Sequence, residues 1–286
     1  MFLPIIIMTR NEADDLDICI KSLKEKIRGK FEYKIFIIDN KSNNKKQIEL
    51  LNKYSSYNDI QVFINNNNLW VLGINRYLDE ILINCNGYFF LTDGDIDFSI
   101  APDDIFEYLI KKMDTNISIG KIGISLDWSY LEKDSRFNDI LKQEKELYNN
   151  NKMIDDLYVS PVDTTAAIYR VNWSFSDDSK FYPDHIRYLK PELYSCRTSR
   201  DILVRHIGWE HYFNTKLTLD NIDEKVKCFT IVSGFLKDEV TNQASLKIRL
   251  FKKLLWRPIN IIWVLRRYFY LMRYVLIKGR RKFENF

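Results

Sequence analysis

Tyr88-Phe89-Phe90-Leu91-Thr92-Asp93-Gly94-Asp95 is the stretch that decides the fold. A short aromatic and apolar run stops at two carboxylates separated by one glycine. The run is too short for a helix and reads as a buried strand, Tyr88–Thr92, with a polar turn at its carboxyl end. The same shape occurs twice upstream. Phe2–Met8 runs into Thr9-Arg10-Asn11-Glu12, and Tyr33–Ile38 ends at Asp39-Asn40. Ile60–Ile64 is a further strand, followed by the polar loop Asn65–Asn68. Helical segments lie between them. Asp14–Lys26 carries Leu16, Ile20 and Leu23 at helical spacing, and Lys46–Tyr54, Ile74–Ile83 and Asp103–Met113 follow, with Pro102 at the start of the last. Lys121–Leu126 and Ala166–Tyr169 read as later strands. This alternation predicts an α/β chain with a mixed, mostly parallel sheet flanked by helices. Ligands bind at the carboxyl ends of strands in such sheets, so the three polar clusters should share one edge.

The chain has 286 residues, 46% hydrophobic and 29% charged, enough for a sizeable core. Its four cysteines, Cys19, Cys85, Cys196 and Cys228, form no C-x-x-C pair, and it has only 3 His. A structural zinc site and a His-rich metal centre are therefore not expected. Charge is unevenly placed. Residues 244–286 hold 12 Lys and Arg against the single acid Glu284, whereas residues 1–243 are net acidic. The expected division is a catalytic domain over 1–243 and a basic, aromatic helical tail over 244–286. Residues 134–160 read as a helix over the site or a mobile segment, and 172–195 as a loop region punctuated by Pro183 and Pro191. From Leu246 the pattern predicts two amphipathic helices hinged at Pro258.

Asp93 and Asp95 can share a hard divalent cation, Mn²⁺ or Mg²⁺, with phosphate oxygens completing its shell. Such a cation would offset the charge of a leaving diphosphate. A solvated acidic turn is the plain alternative, because Asp-Gly pairs are common turn formers. The Thr9–Glu12 and Asp39-Asn40 clusters can meet a base or a ribose, or simply cap helices.

The order T-R-N-E, I-I-D-N-K-S, N-N-L-W-V-L-G-I-N and L-T-D-G-D resembles a family-2 glycosyltransferase of the GT-A fold. Ser160-Pro161-Val162-Asp163-Thr164-Thr165-Ala166-Ala167-Ile168-Tyr169-Arg170 and Arg205-His206-Ile207-Gly208-Trp209 resemble two blocks of a bacterial subgroup that makes surface polysaccharide. The resemblance spans roughly residues 1–215. It implies that Thr9, Arg10, Glu12, Asp39, Asn68 and Asp93 hold the nucleotide, and that Asp93, Asp95 and His206 hold the metal. Asp163 is the candidate base for an inverting transfer, partly desolvated and raised in pKa, or else the residue that fixes the Thr164-Thr165 turn. Asp201 and Asp127 are reserves. Asp127, Trp128 and Trp209 would shape the acceptor site. Two departures stand out: Trp70-Val71-Leu72 precede Gly73 where a Gly-rich loop is usual, and no Glu-Asp pair precedes the histidine.

The implied activity is a metal-dependent transfer of a hexose from a nucleotide diphosphate sugar, UDP-linked, to a saccharide acceptor on a bacterial lipid carrier. A non-catalytic nucleotide- or sugar-binding module and a sugar nucleotidyltransferase are the alternatives, the latter lacking its early Gly-rich phosphate loop here. The tail interleaves Lys and Arg with Trp256, Trp263, Tyr268, Phe269, Tyr270 and Tyr274, which suits an anionic membrane surface. It could instead pack on the acidic body or pair two chains as a homodimer. The longest charge-free run in it, Pro258–Leu265, is too short to span a bilayer. The expected location is therefore cytoplasmic, peripheral on the inner face of a bacterial plasma membrane. An acidic body argues against nucleic acid as a partner.

Overall fold

A computed structural model describes residues 1–85, 87–171, 193–211, 219–234, 236, 238–274 and 276. The first part alternates as expected: β1 (Phe2–Thr9), α1 (Ala13–Ile27), β2 (Glu32–Asp39), α2 (Lys45–Ser55), β3 (Ile60–Ile64), a 3-10 turn at Trp70–Ile74, α3 (Asn75–Leu82) and β4 (Tyr88–Asp93). There follow β5 (Ile96–Asp97), α4 (Ile105–Thr115), β6 (Ile119–Gly123), β7 (Ser125–Asp127), α5 (Asn138–Glu146), β8 (Met153–Ile154), β9 (Leu157–Val159), β10 (Ala167–Arg170), β11 (Tyr194–Arg197) and β12 (Leu203–His206).

Nine described strands form one sheet in the order β3-β2-β1-β4-β10-β6-β11-β9-β8, and β5-β12-β7 form a smaller second sheet. Strands β3, β2, β1 and β4 are parallel, while β10 runs antiparallel between β4 and β6. One face buries Leu3, Ile5, Ile7 and Phe90 under α1 and α4. The other buries Ile6, Phe36, Phe89 and Leu91 beside Leu78 of α3. Burial on both faces explains why these strands read as continuous apolar runs.

Register decides what reaches the edge. Thr9 lies opposite Asp39, and Met8 opposite Asp93. The chain leaves each strand through a backbone bond to its neighbour: Asn40 N–H donates to Thr9 O at 3.0 Å and Gly94 N–H to Met8 O at 2.8 Å. The three polar clusters therefore do share one edge.

Three expectations change. Lys121–Leu126 is not one strand. The N–H of Ile124 makes the last bond in the β6–β10 register, to Ala166 O, and from Ser125 the chain joins β12 in the second sheet as β7. Gly123 permits this crossing, since a Cβ there would lie 2.6 Å from Val162. The region 172–195 is not all loop, because Tyr194–Arg197 pairs with β6 as β11; Pro183 and Pro191 lie outside the described residues. Residues 134–160 hold α5 and the β8–β9 hairpin.

The tail is one helix, Leu246–Tyr274, which runs through Pro258. An interior proline removes a backbone hydrogen bond at a cost of about 3 kcal/mol. Two indoles on either side of it hold the helix in line. Trp256 donates to Gly234 O and Trp263 to Ile231 O, each at 3.3 Å, at the end of the helix Leu219–Ile231. Ser245 N–H also donates to Asp223 at 2.7 Å, which ties the start of the tail to the helix Leu219–Ile231. The inner face of the tail packs Ile259 and Trp263 against Val71, Leu72 and Val232. The outer face leaves Leu250, Leu254, Ile261, Leu265, Tyr268 and Met272 exposed. No helix among the described residues is long and apolar enough to cross a membrane.

Trp263 is 8% exposed. Trp263→Ala should cost about 3 kcal/mol and lower the single thermal transition of the whole chain. A separate early transition of the tail, with the body unmoved, would show the two to be independent.

Candidate active site

The carboxyl edge of β1 and β4 concentrates negative charge. The turn Asp93-Gly94-Asp95 folds back over β1, and Gly94 is the contact: a Cβ there would lie 2.7 Å from Glu12 Oε1 and 3.1 Å from Thr9. Glu12 accepts from Arg10 N–H at 3.2 Å and from the Thr9 hydroxyl. Burial pushes its carboxyl well above the usual range, and the charges of Asp95 and Asp93 add to this. Glu12 thus belongs to the aspartate cluster as well as to the β1 edge.

Asp93 accepts from the hydroxyls of Thr164 and Thr165, each at 3.1 Å. Burial raises its carboxyl to about 7, with Asp95 and Asp163 pushing the same way. Cys19 of α1 sits behind it, with Sγ 3.7 Å from Asp93 O.

Asp95 is different. Its Oδ1 is buried and makes no hydrogen bond among the described residues, while Oδ2 lies 3.5 Å from His206 Nδ1. That imidazole nitrogen is also buried and without a hydrogen bond. The second sheet brings the two together, because β12 pairs with β5 and places His206 opposite Ile96. Ile207 N–H donates to Asp95 O at 2.8 Å. Gly208 supplies the clearance, as a Cβ there would fall 1.9 Å from Asp95 Oδ2.

Of the expected metal set, Asp95 and His206 therefore converge with free ligating atoms, while Asp93 is engaged by two threonines. No group of three or more His, Cys, Asp or Glu is poised around one point among the described residues. The donor set is a carboxylate and an imidazole, which suits a divalent cation that draws its remaining ligands from a bound phosphate and water.

The expected nucleotide residues divide. Thr9 is 3% exposed and accepts from Gln47 Nε2 at 3.0 Å. Asp39 is 1% exposed, and both its oxygens are taken by Ser42, from N–H at 2.7 Å and from the hydroxyl at 2.5 Å. Both residues hold the loops of this edge together. Arg10, Glu12 and Asn68 remain half-exposed at the edge. Buried Nε of Arg10 has no hydrogen-bond partner, and Asp39 supports its charge against burial. Asn68 Oδ1 accepts from Trp70 N–H at 3.3 Å. Gly73 answers the missing Gly-rich loop: Asn40 Oδ1 and Asn65 Nδ2 would lie 2.3 and 2.7 Å from a Cβ there.

Asp163 lies in the loop before β10, not in the strand. Protein surrounds it on most sides, yet its side chain keeps contact with solvent, as a carboxylate on a cleft wall does. Burial would raise it, but the charge of Arg197, hydrogen bonds from Thr165 and the charge of Lys121 outweigh burial and hold it below the usual range. The raised pKa expected at this position is therefore reversed. Arg197 is itself fixed by Nε donating to Pro161 O at 3.1 Å.

The residues expected at the acceptor site already have partners within the chain. Trp128 is 7% exposed, with the Arg200 guanidinium 3.3 Å from its ring centroid. Trp209 is buried and stacks on His206 at 4.8 Å and 7°. One face of each indole is thus covered by a cationic or imidazole neighbour. Asp127 caps the next turn through Ser129 N–H at 2.9 Å. Asp201 is exposed on the turn between β11 and β12. One residue of this region gives no signal in the sequence: Glu144 of α5, buried within reach of the charges of Arg197, Asp163 and His206. Its only trace is the i, i+3 spacing from Leu141.

A carboxyl raised in the folded state holds its proton more tightly there, so its ionisation opposes folding as pH climbs from about 4 to about 7. Asp93→Asn should therefore be more stable than the parent at about pH 8, with the difference vanishing near pH 4. Urea unfolding over this range checks it, and equal stability at high pH would remove the repulsion.

The sequence profile described as Glycosyl transferase family 2 matches residues 5–173. A search of curated proteins finds no match. Among solved structures, mannosyltransferase PcManGT from Pyrobaculum calidifontis, in complex with GDP-Man and Mn²⁺, is 11% identical; the alignment covers 96% of this chain and 86% of that one, with a TM-score of 0.45. TarS 1-349 of S. aureus is 13% identical, with 93% and 89% covered and a TM-score of 0.44. The profile match takes in more than half of the chain, from β1 through the aspartate turn to the end of β10, and the chain belongs to glycosyl transferase family 2.

Proposed function

We propose that this glycosyltransferase moves a hexose from a nucleotide diphosphate sugar, UDP-linked, to a saccharide acceptor in bacterial surface-polysaccharide synthesis. The observation that carries the reading is Asp95, whose buried, unpaired Oδ1 lies beside the unpaired Nδ1 of His206. Asp95 and His206 would hold a divalent cation, Mn²⁺ or Mg²⁺, together with the donor diphosphate. When bound, the cation supplies charge neutralisation for the departing diphosphate. Arg10, just after β1, and Asn68, in the loop after β3, would meet the nucleotide. Gly94 and Gly208 keep side chains out of the space between.

Asp163 takes the acceptor proton. The acceptor oxygen bonds to the anomeric carbon, the bond to the diphosphate oxygen breaks on the opposite face, and the hydroxyl proton passes to Asp163. Arg197 and Thr165 keep this carboxylate ionised and aimed. Its low proton affinity means that the transfer runs late, as the attacking hydroxyl becomes acidic.

The outer face of the C-terminal helix suits a lipid surface. Leu250, Leu254, Ile261, Leu265, Tyr268 and Met272 repeat at helical spacing, and Lys247, Arg249, Lys253 and Arg257 are exposed along the same helix. Apolar side chains entering the headgroup region with basic groups on anionic lipid is the behaviour of an interfacial helix. A lipid-linked acceptor and a location on the inner face of the plasma membrane fit this attachment.

Thermal melts with UDP-sugars and free nucleotides, each with Mn²⁺ and with chelator, test the reading. One UDP-sugar should raise the melting temperature only with metal. Asp95→Ala should abolish that shift, and Asp163→Asn should keep it while losing transfer. A parent chain that responds to no nucleotide, with or without metal, would overturn the proposal.

Serine at Leu254, Leu265 and Tyr268 together should release the chain from vesicles containing anionic phospholipid without lowering its melting temperature. Unchanged co-sedimentation would place the membrane contact elsewhere.

A further inference from the structure

Glu144 is a carboxylate in an unfavourable place. It lies on the inward face of α5, one turn beyond Leu141, and is 7% exposed. Its Oε2 is buried and makes no hydrogen bond among the described residues. No salt bridge within 4.0 Å relieves it among the described residues. Burial pushes its carboxyl above the usual range although Arg197 pulls the other way. A lone buried carboxylate of this kind is costly, and replacing it by an apolar residue would usually stabilise a protein.

Two more polar groups nearby share the condition. Tyr148, one turn further along, buries a hydroxyl without a partner, and so does Ser160 at the end of β9. Ser160 directly precedes Pro161, whose carbonyl fixes Arg197. Arg200 closes the region by lying across Trp128 and Tyr148, with Nη1 donating to Leu126 O at 2.6 Å. The wall thus offers acceptors and hydroxyls held between two guanidinium groups, with aromatic rings behind them.

The neighbours also say which substrate this wall would meet. The charges acting on Glu144 are Arg197, Asp163, His206 and Arg200, all from β10, β11, β12 and their loops. In the sheet, β11 and β9 lie on the opposite side of β4 from β1 and β2, at whose ends Arg10 and Asp39 lie. Asp163 lies in the loop before β10, the strand between β4, which ends at Asp93, and β6, which pairs with β11. Glu144 is therefore on the far side of the reacting centre from the nucleotide edge.

We infer that Glu144 binds a hydroxyl of the acceptor saccharide, with Tyr148 and Ser160 beside it, and positions that sugar for Asp163. The inference rests on the transferase reading above and adds to it the residues that select the acceptor. A carboxylate accepts from hydroxyls and rejects a phosphate or carboxylate, so the acceptor's recognised unit is a neutral, polyhydroxylated sugar. Glu144 acts by holding the acceptor, and Asp163 remains the base.

The test uses the full chain, with Glu144→Gln and Glu144→Leu. Melting temperatures come first. Both variants should melt at or above the parent, with Leu higher by a few degrees. Variants that melt well below it would show Glu144 to be a structural partner of Arg197 and overturn the inference. UDP release is then measured with UDP-glucose, UDP-galactose and UDP-N-acetylglucosamine, with and without octyl β-glucoside and octyl β-galactoside. The parent should release UDP slowly alone and faster with one glycoside. Glu144→Gln should keep the slow release and the donor KM, while its KM for the glycoside rises roughly tenfold to a hundredfold, the loss expected for a hydrogen bond to a charged group. An unchanged glycoside KM, or loss of the slow release as well, overturns the role of Glu144 and leaves the transferase reading standing. A parent that releases no UDP from any donor removes the transferase reading, and the inference falls with it.

Discussion

The closeness of the β4 turn to the end of β1 is the constraint on which the site depends. Met8 lies opposite Asp93, and Met8 O accepts from Gly94 N–H, so the chain must turn within one residue of the ladder. At that spacing there is no room for a side chain between Thr9 and Glu12. The same restriction recurs at Gly208, where the other side of the site closes on Asp95. Two glycines from segments more than a hundred residues apart thus set the width of one cleft. The carboxylates within it are consequences of this geometry, brought nearer one another than they would stand in water.

Crowding of that kind has an energetic sign. Glu12 and Asp93 are both raised by burial and by neighbouring negative charge, so the folded chain carries electrostatic tension at neutral pH. Thr164 and Thr165 relieve part of it at Asp93, and Arg197 relieves Asp163. Among the described residues nothing hydrogen-bonds to Asp95 Oδ1. The carboxylates therefore fall into two kinds, those satisfied internally and one left to meet positive charge from outside. A cleft with this distribution gains stability when a cation and its ligand enter, which is the sense in which function and stability oppose each other here.

How far the sequence could be read depends on whether the signal was local. Tyr88–Asp95, Phe2–Glu12 and Tyr33–Asn40 were legible because a strand buried on both faces has no polar residue until it emerges. Pro258 misled because a proline rule is local, while Trp256 and Trp263 find their acceptors at Gly234 and Ile231, beyond the helix. The break between β6 and β7 was hidden by apolar continuity from Ile122 to Leu126, and only Gly123 marked it. At the site, Asp95 and His206 could be paired from motif order, whereas their 3.5 Å approach depends on a second sheet that no periodicity announces. Trp128 looked like a sugar platform because an indole's partners are invisible in sequence; here Arg200 already occupies one face of it. Glu144 stayed hidden because a glutamate in a polar helix ordinarily faces water.

Cys19 gives the aspartate turn a further property. All four cysteines are free and buried, and Cys19 sits in α1 against the backbone of Asp93 with its thiol pushed well above its ordinary range by burial and by Asp95. In the closed fold it is chemically silent, since neither thiolate nor access is available. It becomes reactive only when α1 lifts from the turn that carries Asp93 and Asp95. The rate at which a small alkylating reagent modifies Cys19 is therefore a clock for the opening of this one turn, wound into the native sequence and needing no added label.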